Sequence, residues 1–188
     1  MKKHIFRTSQ YIEIFPYYKY EDLFPFSESF PPILSRLPSK DCYMEFNISV
    51  FDHYLEDNEY DEKMVTYDSF YKKKYIDKNL KKKWIYYKDL EDKFLYFFTL
   101  LYEKGIYMIL SDKYLVEFSG KKEYIRHCLY GIRERNDHMQ NRSFIVPSLG
   151  VLISSAWEHK HVVHVSKAYY QKEAFEEILK KSELFILE

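Results

Sequence analysis

The residues of this chain best suited to chemistry are its histidines and arginines. Of seven histidines, His159, His161 and His164 fall within six positions of one another, beside Glu158. Imidazole with carboxylate is a common donor set for zinc and related ions. The spacing works against a single site. On an extended strand alternate side chains share a face, so His159 and His161 point together and His164 points away. A further ligand such as His138 would have to be delivered by the fold. The plainer reading is a polar hairpin end, and neither a metal nor a cofactor is expected.

The arginines are concentrated. Arg126, Arg133, Arg135 and Arg142 are four of the six in the chain, and Arg126, Tyr130 and Arg133 recur at helical spacing. A guanidinium forks onto carboxylate or phosphate and stacks on rings in ways that lysine does not reproduce. Arg126, Tyr130 and Arg133 are therefore assigned as partner-binding residues, against the plainer reading of a solvated helix face.

Charge is segregated earlier in the chain. Residues 41–62 hold eight carboxylates and no lysine or arginine, whereas residues 63–88 hold nine lysines against Asp68 and Asp77. Asp57, Glu59 and Asp61 are assigned to recognition of a basic protein partner, because complementary charge sets encounter rate and specificity. The lysine stretch is interleaved with rings, so Lys73, Lys82, Lys83 and Trp84 are the residues of an alternative, nucleic-acid-binding reading. Two solvated neighbours that partly neutralise each other are the simpler explanation.

Signatures of catalysis are missing. There is no Gly-rich phosphate loop, no G-x-S-x-G, no H-E-x-x-H and no paired C-x-x-C. Asp112, Glu117, Asp137 and His138 have no spacing that joins them. No catalytic residue is assigned.

Composition narrows the class further. The chain has 188 residues, formal net charge zero, 20 Tyr, 15 Phe and 4 Gly. AT-rich coding explains the surplus of Lys and Tyr, so richness alone is no nucleic-acid signature, and zero net charge removes whole-molecule attraction to polyanions. Cys42 and Cys128 are the only cysteines and are read as reduced thiols in a cytoplasmic protein. Arg7, Ser9, Gln10 and Glu13 interrupt any leader-like apolar segment. The apolar-leaning run at 94–102 is too short to span a bilayer, so no membrane partner is expected.

The elements that must position these groups follow from periodicity. Residues 44–49 alternate apolar and polar, as a half-buried strand does. Further strands are expected at 106–110, 114–118, 149–155, 161–165 and 184–187, with an early one near 11–15. Helices are expected at 89–104, capped by Asp89 and ended by Gly105, at 121–135 and at 169–181. The pattern predicts one α+β domain over 1–188, with 1–40 an irregular aromatic and proline-rich lead-in. Its sheet is mostly antiparallel, and a C-terminal strand–helix–strand crossover has parallel ends. The functional expectation is a small interaction protein without catalytic activity, of the immunity or inhibitor type, binding another protein through segregated charged and Tyr/Arg-rich surfaces. The alternative is a nucleic-acid-binding protein, with phosphodiester chemistry, using 72–88 and helix 121–135. Oligomeric state is left open.

Overall fold

The computed structural model describes residues 4–7, 43–67, 70, 78–111, 114–118, 120–132, 143–155, 159–167 and 169–187. The elements in order are β1 (His4–Arg7), β2 (Tyr43–Ser49), α1 (Asp57–Lys63), α2 (Lys78–Tyr102), β3 (Tyr107–Ser111), β4 (Tyr114–Glu117), α3 (Lys121–Ile132), β5 (Ser143–Val146), a 3-10 turn (Pro147–Leu149), β6 (Val151–Ser155), β7 (Lys160–Ser166), α4 (Lys172–Lys181) and β8 (Phe185–Leu187). This is an α+β fold. All eight strands belong to one sheet, in the order β1-β4-β3-β5-β6-β7-β2-β8, and every neighbouring pair is antiparallel. Because β7 and β8 are each antiparallel to β2, they run parallel to each other with β2 inserted between them.

One face of the sheet carries the helices. Phe46 and Ile48 of β2, Phe144 and Val146 of β5, Val151 and Ile153 of β6, and Val163 and Val165 of β7 pack under α2 and α4. From above, α2 presents Leu90, Phe94, Phe97, Phe98 and Leu101, all buried at helical spacing. Each such aromatic contributes ~2 kcal/mol by its burial. Phe97 reaches Phe175 of α4, and Phe98 and Tyr102 reach Tyr124 of α3, so α3 rests on the C-terminal half of α2. The opposite face is buried at its centre as well, at Ile145, Leu152, Ser154 and His164.

Several boundaries differ from the sequence expectations. α2 begins at Lys78, so Asp89 stands inside the helix and is not its cap. The helix buries one face only: Ile85 and Tyr96 are exposed. α4 starts at Lys172, because Tyr169 and Tyr170 form a turn closed onto Ser166 O. The strand expected at 149–155 starts at Val151, after the 3-10 turn that Pro147 opens. β1 and α1 were not among the expected elements. The strand proposed at 11–15 lies outside the described residues.

Gly150 has φ +67°, and a Cβ there would stand 2.6 Å from Tyr169 O. That left-handed turn lets the 3-10 segment lie against the β7–α4 connection, where Gly150 O accepts from Ser166 N and Leu149 O from Gln171 N.

Candidate functional site

β2 delivers the chain into the loop at 50–56, and the first groups after it are Asp52 and His53. His53 Nδ1 lies 2.6 Å from Asp52 Oδ1, and its Nε2 lies 2.9 Å from Glu59 Oε2. Two carboxylates on one imidazole favour the cation, so hydrogen bonds to Glu59 and then to Asp52 raise the pKa of His53. Glu59 is the hub of α1. Its Oε1 accepts from Lys63 Nζ at 2.6 Å and its Oε2 also accepts from the backbone N–H of Glu56 at 3.2 Å. Lys63 first and His53 second pull its pKa down to about 2. A helix of seven residues with few apolar side chains is held by these clamps and by capping, not by burial.

The clamp borders a pocket of about 60 Å³. Phe51, Tyr54 and Tyr60 supply rings, Leu187 of β8 an apolar wall, and Lys160 of β7 a cation. Lys160 Nζ sits 5.6 Å from the centre of the Tyr54 ring. Tyr54 OH accepts from Asn47 Nδ2 at 3.0 Å. In the same loop and helix, Asp52, Glu56, Asp57 and Glu62 are exposed. The volume holds one side chain; small-molecule and cofactor clefts are several-fold larger.

Behind this loop lies a closed polar cluster. Glu91 is 0% exposed and accepts from Tyr87 OH and from Lys88 Nζ. His159, with φ 54°, points its Nε2 at Val65 O, 2.7 Å away, and packs against the Tyr87 and Phe51 rings. His161 is wedged edge-on between Phe94 and Phe98 of α2, with ring centres at 4.6 and 5.4 Å. The expected polar hairpin end is therefore corrected: His161 and His164 are buried strand residues, with pKa values pushed down to about 4 by burial. His164 faces away from His161, as alternation requires. No group of three or more His, Cys, Asp or Glu side chains placed to hold a metal occurs among the described residues.

Glu91 makes one sharp expectation. Lys88→Met leaves a buried carboxylate without its cation and should cost about 2 kcal/mol in urea denaturation, less than for a fully buried pair because Lys88 is partly solvated. Adding Glu91→Leu should return most of that loss.

The residues assigned from sequence are distributed as follows. Asp57 is exposed on α1, Glu59 is engaged by His53 and Lys63, and Asp61 belongs to α1 with a side chain outside the description. Arg126 is exposed on α3; Tyr130 is in the same helix, its side chain likewise outside the description, and Arg133 lies outside the described residues. The acidic helix leads into Val65, against Tyr87, whereas α3 rests on Tyr102. Those two rings are about 22 Å apart along α2, so the acidic and arginine groups are separate regions. Lys82 and Lys83 are exposed on the first turns of α2, and Lys73 is outside the described residues. Trp84 stacks on Tyr87 and meets Phe70 edge-on, with ring centres at 5.7 and 5.0 Å, so it is half-buried packing in a second small core. His53, Tyr54, Tyr60 and Lys160 were missed by sequence reasoning. The only local signal was a histidine inside an acidic run.

No known protein family, curated protein or solved structure matches the chain. Among the described residues no helix is long and apolar enough to cross a membrane.

Proposed function

We propose that the protein is a small cytoplasmic interaction protein that binds a basic protein partner through the pocket at Tyr54, Tyr60 and Lys160 and the carboxylates around it, in the manner of an immunity or inhibitor protein. The observation that carries this reading is that the loop and helix which supply His53, Tyr54 and Tyr60 to an aromatic pocket of side-chain size also carry the exposed Asp52, Glu56, Asp57 and Glu62. Aromatic anchors set in a pocket supply most of the energy of protein interfaces, and rim charges set the encounter rate. Glu59 is a support for this surface, since its charge is already spent on His53 and Lys63.

The test uses the partner recovered on the tagged chain from its own cells. Asp57→Asn combined with Glu62→Gln should slow association roughly three- to tenfold at low salt and flatten its salt dependence. Both side chains are exposed, so folding should be unaffected to within about half a kcal/mol. The exposed lysines at 81–83 favour the second reading, a nucleic-acid surface. If Lys82→Glu with Lys83→Glu abolishes activity while the acidic pair is silent, that reading replaces the first.

A further inference from the structure

We infer that the partner enters as an extended basic segment, which adds a strand to the outer edge of β8 and sets one apolar side chain into the pocket; this rests on the acidic-surface reading above. Among the described residues the sheet ends at β8, which pairs only with β2 and only through Phe185, Ile186 and Leu187. The strand carries none of the lysines or prolines that commonly blunt an edge. Its three residues offer few main-chain bonds, so a side-chain anchor must supply much of the affinity.

The pocket is placed to be that anchor. Leu187 forms its wall, and Leu187 and Phe185 are opposite Asn47 and Ser49 on the sheet face away from α2 and α4. Phe185 is 43% exposed beside it. An added strand projects every second side chain to that same face, which brings one of them over Leu187 and toward the rings of Tyr54 and Tyr60. Phe51, Tyr54, Leu55, Tyr60, Met64 and Leu187 supply most of the wall, beside His53 and Lys160, which favours an apolar anchor. Residues 52–62, which also supply His53, Tyr54 and Tyr60 to the pocket, hold six carboxylates and no lysine or arginine, and this segment's net negative charge favours a partner with cations beside the anchor.

The experiment titrates the full isotope-labelled chain with the synthetic peptide Lys-Val-Lys-Leu-Lys-Val-Lys, and with two derivatives N-methylated on the alternate amides of one edge or the other. The expected result is that backbone signals of Phe185, Ile186 and Leu187 shift together with those of His53 and Tyr60. A strand pairs through one edge only, so one methylated derivative should bind at least about tenfold more weakly and the other within about twofold of the parent. Shifts confined to residues 52–62, or equal effects of the two methylations, would overturn strand addition and leave the acidic surface standing. Absence of any shift at millimolar peptide would sink both.

Discussion

Lowering the pH from 6.5 to about 4 is expected to remove on the order of 5 kcal/mol of stability, comparable to the whole margin of many domains. His161 and His164 are the cause. Burial holds both at about 4, whereas in an unfolded chain each titrates at its ordinary 6.5. Within that window the unfolded chain binds more protons, so stability is complete above 6.5 and falls as pH falls; each shift is worth at most ~3 kcal/mol. Glu45 stands 3.3 Å from His164 Nδ1 but is 56% exposed, and water screens it too well to offset burial. His159 moves in the same direction, lowered by burial against the opposing pull of Val65 O and Glu91. His53 works in the opposite sense: its raised pKa gives stabilisation that is complete below 6.5 and lost as pH rises through the raised value. It is exposed, so its share is minor. Glu59, held at about 2, loses its contribution only below its ordinary 4.5, mostly under this window. Urea midpoints at pH 7, 6, 5 and 4 measure the slope, and His161→Leu should flatten it. A midpoint unchanged from pH 6.5 to 4 would contradict the buried histidines.

Gly150→Ala should be the other large effect, about 3–5 kcal/mol by chemical denaturation, from left-handed strain plus overpacking. The Cβ would meet Tyr169 O, Tyr169 C and Tyr170 N at 2.6, 2.7 and 2.9 Å. These are backbone atoms, which cannot swing away as a side chain would. Relief requires the β7–α4 turn to lift, which breaks the bonds from Ser166 N to Gly150 O and from Gln171 N to Leu149 O. Gly105→Ala is the control. Its φ is +80°, yet nothing lies within 4 Å of the added carbon, so it should lose only the conformational part, about 1–2 kcal/mol. Equal losses at the two glycines would show that the close approach at Gly150 is not maintained.

The parts of the fold legible in the sequence are those where one physical term dominates. Met44 to Ser49 alternates because one face of β2 packs under helices, and Phe94, Phe97, Phe98 and Leu101 fall in a stripe for the same reason. The start of α2 was hidden because its first turns, Lys78 to Lys83, have a single apolar residue and no acidic N-terminal signal, while Asp89 imitated a cap. α1 was hidden more thoroughly. It has no apolar period, and what holds it is Glu59 bridging His53, Lys63 and the Glu56 backbone. The candidate site was half visible: the acidic run marked the surface, but the pocket needs Lys160 and Leu187, which lie far along the chain and reach it only through the pairing of β7 and β8 with β2. His161 and His164 read as polar because residue type alone does not show that a strand is covered on both faces.

The position of β2 also sets a timetable. Both of its neighbours, β7 and β8, come from the far end of the chain, and Ser49 at its end donates to the carbonyl of His159, 110 residues later. During synthesis at ~5–20 residues per second, β2 therefore waits roughly 5–20 s for its first partner strand. Met44, Phe46 and Ile48 are apolar through that interval, and pairing at such long range is slow even once the chain is complete. The newborn chain thus passes through a period in which its best-patterned strand is a sticky orphan, and β7, by pairing with its edge, is the first segment to give it a strand partner.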